Sequence, residues 1–176
     1  MNQPETKSRA APGWAALSIS ALTTPKGDIM AIKRITPFLW YDGNALEAAK
    51  FYGTIFKKSK VHSATAFSVT FELDGQMFYA LNGGPNFKFN EAISFFVSCK
   101  DQKEVDYYWS KLLKGGQPSR CGWLKDKFGL SWQIVPHALG ECINGKDKIG
   151  ARRAMEAMMH MVKLDVKKLK DAYAGK

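Results

Sequence analysis

The chain repeats one pattern of predicted elements, and this repeat constrains its fold more than any other feature. Each copy begins with a strand rich in aromatic and aliphatic residues, continues with a capped amphipathic helix and ends with a hairpin signal. The predicted helix caps Asn44 and Asp101 are 57 residues apart, and so are the helix aromatics Tyr52 and Trp109. This spacing indicates an internal duplication, in which each unit needs a neighbour to bury its sheet.

In the first copy, the strand ITPFLWY at 35–41 precedes a helix that Asn44 is predicted to cap. Glu47 follows three residues later, as in a capping box. The turn Asp74–Gly75 then joins TAFSVTFEL to MFYALN as a β-hairpin.

In the second copy, the strand AISFFVS at 92–98 precedes a helix that starts at the predicted cap Asp101, with Glu104 three residues on. The strand-like segment RCGWL and the final strand LSWQIVP complete the unit. The chain is therefore predicted to be α+β, with duplicated βαβββ units forming a curved mixed sheet around a cavity and helices outside.

The two units cover about 35–82 and 92–136, and helical periodicity resumes after them in an extension over 141–176. One predicted helical stripe of this extension consists of Ala151, Met155, Met158 and Val162, and Asp165 is predicted to start a second short helix. The stripe could be a packing face or a surface for partners. Residues 1–30 show no strong periodicity and are predicted to be a disordered N-terminal extension.

Composition excludes several classes of protein. Apolar residues make up 45% of the chain, which indicates a globular protein, and no apolar stretch is long enough to span a membrane. The net charge of +10 is spread along the chain without a basic run that contains interleaved aromatics, so nucleic-acid binding ranks last. Three cysteines without CxxC spacing argue against a disulfide framework and favour a reducing, cytoplasmic location.

Three segments carry a family resemblance: ITPFLWYDGNALEAAKFY, FELDGQMFYALNGGPNFKFNEAIS and CGWLKDKFGLSWQIVP. They resemble the PhnB-like branch of the vicinal oxygen chelate (glyoxalase and bleomycin-resistance) superfamily, a branch often labelled 3-demethylubiquinone methyltransferase. The resemblance implies a glyoxalase-like domain over 31–140 and a homodimer whose chains share the cavity. The segment 60–67 is shorter than in relatives, which leaves the strand count of the first unit open.

The methyltransferase label has no support in the sequence motifs. A typical adenosylmethionine site needs a glycine-rich turn between a parallel strand and a helix, with a later acidic residue for the ribose. The glycine-rich segment NGGPNFKFN at 82–90 joins two predicted strands and opens no helix, so we expect it to be a structural turn. No cofactor is predicted.

The resemblance also locates the positions at which metal-using members of the superfamily place their His or Glu ligands. The matched positions are Thr36 or Pro37, Ala80 or Leu81, a residue within 92–94, and Gln133. None of these residues is a carboxylate, an imidazole or a thiolate, so no metal is predicted. His62, His137 and His160 have no i,i+4 partner and are expected to be surface or satisfied core residues.

Strand alternation places Ser131, Gln133 and Val135 on one face of the last strand. If the opposite, bulkier face packs on a helix, Gln133 points into the cavity, where its amide can bind a ligand. Alternatively, the amide satisfies a neighbouring strand or a buried water.

The predicted cavity has aromatic walls, which suit a planar guest. Cys121 is a weak candidate nucleophile, because alternation through RCGWL would place it on the same face as Trp123 and Lys125; a buried inert thiol is the other interpretation. The candidate ligand-binding residues are Trp40, Tyr79, Phe87, Phe89, Phe96, Cys121, Trp123 and Gln133. The sequence therefore predicts a metal-independent small-molecule-binding protein, with an enzyme acting on a small, partly aromatic substrate as the alternative.

Overall fold

The computed structural model describes residues 35–176, which fall into two compact units, one ending at Phe87 and one beginning at Lys88. The predicted disordered extension at 1–30 lies outside the described residues. Within the described part of the chain, no helix is long and apolar enough to cross a membrane.

The first unit contains four strands and one helix. Their bounds are β1 Phe38–Tyr41, α1 Ala45–Gly53, β2 Lys60–Ala64, β3 Ser68–Leu73 and β4 Gln76–Asn82. The sheet order is β1-β4-β3-β2, with β1 parallel to β4 and the other pairs antiparallel. Strand β2 lies within the short 60–67 segment, so the strand count that the sequence left open is four.

The second unit repeats this arrangement. Its elements are β5 Ser94–Cys99, α2 Gln102–Leu112, β6 Gln117–Pro118, β7 Trp123–Lys125 and β8 Ser131–Pro136. The sheet order is β5-β8-β7-β6, again with one parallel pair, β5 with β8. The duplicated βαβββ units and the α+β class are confirmed.

Each helix covers one face of its own sheet. In the first unit, Tyr52 of α1 stacks on Phe71 of β3 at 6.4 Å between ring centroids, and Phe71 stacks on Phe78 of β4 at 5.2 Å. In the second unit, Val105 and Leu112 of α2 are fully buried against the sheet. These contacts bury the apolar side of each predicted amphipathic helix.

The two helix starts differ in their chemistry. The Asp101 side chain accepts a 2.9 Å hydrogen bond from the Glu104 backbone N–H, as predicted for a cap. Asn44 occupies the N-cap position, as predicted, but its side chain makes no capping bond. Instead, the Ala45 N–H donates to Oδ1 of Asn82 at the end of β4, 2.9 Å away.

The hairpin between β3 and β4 turns at Asp74 and Gly75, which have φ angles of 47° and 84°. Two consecutive positive φ values are the signature of a type I′ turn, as the Asp-Gly pair predicts.

Three helices follow β8 and cluster with the second unit: α3 His137–Ile143, α4 Lys148–Met159 and α5 Val166–Ala174. Asp165 caps α5, as predicted, by accepting from the Lys168 N–H. Leu139, Leu164 and Leu169 form the core of this region.

The predicted stripe on α4 is only partly correct. Ala151 is buried and Met158 packs on the leucine core, but Met155 is 45% exposed and Val162, beyond the helix end, is 49% exposed. Small residues, Gly150 and Ala154, complete the buried side. Close approach explains the difference, because a Cβ on Gly150 would lie only 2.6 Å from the Tyr173 carbonyl oxygen.

Candidate functional site

The second sheet has one face covered by α2 and one face turned away from it, which we call the distal face. Residues that alternation places on the distal face are Ser94, Phe96 and Ser98 on β5, Ser131, Gln133 and Val135 on β8, Trp123 and Lys125 on β7, and Gln117 on β6. Phe96, Gln133 and Trp123 are directly opposite one another across three strands. The distal face therefore gathers three of the residues predicted to bind a ligand.

Gln133 is hydrogen-bonded within the sheet. Its Nε2 donates to the Ser94 hydroxyl on β5 at 2.8 Å. Of the two interpretations of this residue, the bond supports satisfaction by a neighbouring strand. A side-chain amide carries a second N–H group and an acceptor oxygen, so this bond leaves capacity for other contacts.

A groove of about 480 Å³ lies at the carboxyl ends of β5 and β8, next to α3. Its apolar lining comes from Phe96, Val135, Pro136, Leu139 and Ile143. Phe96 is 60% exposed, an unusual state for a phenylalanine in a folded sheet. The volume and the apolar lining are those of a small-molecule site.

A polar pair lies in this groove. His137 Nε2 and Ser98 Oγ, both in the lining, are 2.9 Å apart, within hydrogen-bond distance. From the sequence, His137 is expected to be a lone histidine, and no sequence pattern points to Ser98. Both Ser98–His137 and Ser94–Gln133 join residues 39 positions apart, so the parallel register of β5 on β8 was the signal needed to find them.

Cys121 is not part of the distal face. Strand β7 begins at Trp123, and Cys121 precedes it with a φ of 57°, so the predicted alignment of Cys121 with Trp123 and Lys125 is wrong. A left-handed residue followed by Gly122, with φ of 82°, turns the chain before the strand starts. The Cys121 Sγ lies 3.9 Å from Met159 Sδ, and its N–H donates to the Met161 carbonyl oxygen at 2.8 Å.

The other two thiols are buried. Burial, reinforced by the charges of Glu104 and Asp101, raises the pKa of Cys99 to about 12. Burial likewise raises the pKa of Cys142. Neither thiol is suited to act as a thiolate at neutral pH.

The remaining candidates are divided between the two units. Trp40, Tyr79 and Phe87 belong to the first unit, whereas Phe89, which is half-buried, belongs to the second. Tyr79 is only 7% exposed, and burial raises the pKa of its hydroxyl. No single unit thus contains all eight predicted ligand-binding residues.

Trp40 holds the glycine-rich segment in place. Its Nε1 donates to the Gly84 carbonyl oxygen at 2.8 Å, and its ring meets Phe87 edge-on at 4.9 Å between centroids. A Cβ on Gly83 would overlap the Trp40 ring, and the Gly83 N–H donates to the Tyr41 carbonyl oxygen. Gly83 allows close packing and Gly84, with a φ of 82°, allows the turn, as predicted for a structural turn, and the segment opens no helix that could receive a charged cofactor.

The residues at the matched metal positions do not fit a divalent metal ion. Ser94 and Gln133 are hydrogen-bonded to each other, and Ala80 is fully buried. An alcohol and a neutral amide are poor ligands for zinc, nickel or iron compared with imidazole, carboxylate or thiolate. Over residues 35–176, no group of three or more His, Cys, Asp or Glu side chains could hold a metal ion.

The three histidines lie elsewhere in the fold. His62 Nε2 lies 3.1 Å from Glu72 Oε2 across β2 and β3, and His160 ends α4. With His137 beside Ser98, each described histidine has a local structural position outside the matched metal positions.

Comparison with known proteins gives consistent results. The sequence model of the 3-demethylubiquinone-9 3-methyltransferase family matches residues 33–135. The PhnB protein from Bacillus cereus, described as a 3-demethylubiquinone-9 3-methyltransferase, is 31% identical with a TM-score of 0.55, over 59% of this chain and 99% of that chain. A Pseudomonas aeruginosa protein is 16% identical with a TM-score of 0.50, over 60% of this chain and 98% of that chain, which shows a shared fold. The curated proteins include no match to the chain.

Proposed function

The chain belongs to the 3-demethylubiquinone-9 3-methyltransferase (PhnB-like) family and has the vicinal oxygen chelate fold, and on this basis we propose that it binds a small molecule without a metal ion. The observation that supports the proposal is the apolar groove of about 480 Å³ beside α3. Apolar walls supply affinity by burying ligand surface, and a few fixed polar groups, here Ser98 and His137, supply orientation.

Methyl transfer, which the Bacillus cereus relative's description names, is not part of the proposal. The glycine-rich segment 82–90 is fixed by Trp40 and opens no helix, so it does not fit the charged end of adenosylmethionine.

An aromatic or otherwise flat apolar guest suits this groove. Phe96 exposes its ring to the groove, and Trp123 lies on the same face two strands away. Rings of this kind bind planar guests by stacking or edge contacts.

Native mass spectrometry of freshly purified protein, beside a denatured control, tests the proposal directly. A small non-metal excess mass that disappears on denaturation would support it. An excess that matches nickel, zinc or iron would contradict the metal-free part. The same spectra report the subunit number, and we further propose a homodimer, based on the family resemblance, in the cytoplasm, based on cysteine usage.

Gly140 provides a sharper test, because it lines the groove and a Cβ at this position would meet nothing within 4 Å. The variant Gly140→Leu should fill the groove while improving the helix propensity of α3, so stability should be kept. The neutral fluorescent probe N-phenylnaphthylamine should bind the parent protein and lose about tenfold or more in affinity in this variant. Gly53→Ala, a helix glycine in the first unit that also has open space, is the control and should bind normally. Equal binding by both variants would refute the groove as the site.

An enzyme acting at the same groove is the second candidate, because the Ser98–His137 pair joins a hydroxyl to a potential base. Ser98→Ala should then abolish turnover of a groove-bound substrate while binding is kept. The other variants suggested by the sequence, Cys121→Ala and Gln133→Ala, give the same comparison for those residues.

A further inference from the structure

The distal face changes from apolar to polar along its strands. At the carboxyl ends of β5 and β8 lies the apolar groove, and at their amino ends Ser94, Ser131, Lys125 and Gln117 form one row across four strands. Four residue steps along β5, from Ser94 to Ser98, separate the two ends, about 13 Å at the rise of a β-strand. A molecule that covers this face therefore meets apolar walls at one end and polar groups at the other.

A second, smaller cavity lies at the polar end. It has a volume of about 140 Å³, and its lining includes Gln117, Ser119, Trp123, Lys125 and Glu91. This volume suits a head group such as a carboxylate or a sulfonate rather than a whole ligand. Trp123 borders this cavity and also lies opposite Gln133 in the middle of the distal face, so it connects the polar end to the centre.

Lys125 is the cation of this cavity. Its Nζ lies 2.6 Å from Oε1 of Glu91, whose side chain is 62% exposed. An exposed ion pair of this kind contributes little to stability, because both groups are well solvated when apart. The Glu91 carboxylate thus occupies a position that another anion can take at small cost.

Ser131 is a buried polar residue at the amino end of the distal face. It lies directly opposite Lys125 on β8, it is 1% exposed, and its Oγ has no hydrogen-bond partner within the described part of the chain. Buried hydroxyls without a partner are rare, because losing water without a replacement bond costs free energy. Because Ser131 is enclosed and does not line the small cavity, Lys125 and Gln117 are the residues of the row that border the space for a head group.

We propose that the natural ligand is an amphipathic anion, with an apolar or aromatic body in the groove and an acidic head group at Lys125. The inference rests on the proposed binding function and names the chemical class of the ligand. Glu91 competes with the head group for Lys125, so removing the Glu91 carboxylate should strengthen binding of the anion, whereas removing the Lys125 charge should weaken it. This sign pattern is the property that an experiment can test.

Two dyes that differ by one charged group separate the head group from the body. Anilinonaphthalene sulfonate carries the rings of N-phenylnaphthylamine plus a sulfonate. We expect Lys125→Gln to lower the affinity for the sulfonate dye about tenfold, the usual effect of losing a charge-assisted bond. The affinity for the neutral dye should be unchanged. Glu91→Gln should raise the affinity for the sulfonate dye several-fold and also leave the affinity for the neutral dye unchanged.

Lys127→Gln is the matched control, because this exposed lysine lies two residues from Lys125 in the turn after β7 and its Nζ is over the Phe128 ring. It removes the same charge and should change neither dye by more than about twofold, since exposed charges are screened. Equal losses in Lys125→Gln and Lys127→Gln, unchanged sulfonate binding in Lys125→Gln, or weaker binding in Glu91→Gln would each overturn the inference.

The design distinguishes failure of the inference from failure of the proposed function. If the neutral dye binds the parent protein and not Gly140→Leu, while Lys125→Gln leaves the affinity for the sulfonate dye unchanged, only the head-group inference is wrong. If neither dye binds the groove, the proposed function is wrong as well. Circular dichroism of each variant confirms that it is folded before affinities are compared.

Discussion

The side chain of Gln133 on β8 donates a hydrogen bond of 2.8 Å to the hydroxyl of Ser94 on β5. The pair cross-links the two parallel strands on the distal face. A direct bond between two neutral groups thus lies where the family resemblance leads one to look for metal ligands.

This relationship predicts measurable coupling between the two side chains. Gln133→Leu and Ser94→Ala should each lower the free energy of unfolding, and the double variant should lose about 1 kcal/mol less than the sum of the singles. Urea unfolding of the four proteins measures this coupling. Additive losses would mean that the bond contributes nothing to stability.

The two asparagines near α1 give a second prediction. Asn82→Ala should destabilise the protein by about 1–2 kcal/mol, because Asn82 accepts from the Ala45 N–H and donates to the Ala66 carbonyl oxygen. Asn44→Ala should cost less than about 0.5 kcal/mol, since this side chain makes no capping bond. Thermal unfolding of the two variants compares them, and a larger loss for Asn44→Ala would contradict the structure.

Asp126 gives a third prediction, because it organises the turn between β7 and β8. It is 3% exposed, and its carboxylate accepts from the Phe128 and Leu130 N–H groups and from Nε1 of Trp132. Asp126→Asn replaces one acceptor oxygen by a donor facing another donor, so we expect a loss of about 2–3 kcal/mol.

Asp106→Asn provides the comparison for that change. Asp106 is exposed and pairs with Lys163, so the same substitution should cost less than about 1 kcal/mol. Chemical denaturation distinguishes the two variants, and similar losses would show that burial of Asp126 is not the cause.

Cys99 gives a pH-dependent prediction. Its pKa rises from 9.0 to about 12 because of burial and the nearby carboxylates Glu104 and Asp101. The folded thiol therefore keeps its proton at a pH where the unfolded thiol ionises. Its contribution to stability is complete below about pH 9 and falls with rising pH, by about 1.4 kcal/mol per pH unit until about pH 12.

Denaturation at several alkaline pH values tests this slope. Cys99→Ala should show a shallower loss of stability above about pH 9 than the parent. Identical slopes for the parent and Cys99→Ala would show that this thiol is not responsible.

Local signals in the sequence were reliable guides to the fold. The Asp74–Gly75 hairpin and the caps Asp101 and Asp165 depend on bonds between residues a few positions apart, and all three are confirmed. The Asn44 side chain makes no capping bond, and a distant residue, Asn82, accepts from the Ala45 N–H at this helix start instead. Competition of this kind is decided by tertiary packing.

The candidate site was harder to predict, because it depends on strand register and backbone turns. The bonds Gln133–Ser94 and His137–Ser98 each join residues 39 positions apart, and they form because β5 and β8 pair in parallel in one particular register. Strand alternation predicts which face a residue lies on and does not predict this register. Cys121 left the predicted strand because of its positive φ. Phe96 and Trp123 follow strand alternation and lie on the distal face beside Gln133.

The backbone around the end of α4 has a consequence for association between chains. The carbonyl oxygens of Met161 and Val162 accept from the N–H groups of Cys121 and Gly122, next to the start of β7. The segment after α4 thus supplies the acceptors for these two backbone N–H groups. Removing residues 161 and 162 would leave these two donors unpaired beside β7, and unpaired backbone donors next to a strand favour pairing with another chain.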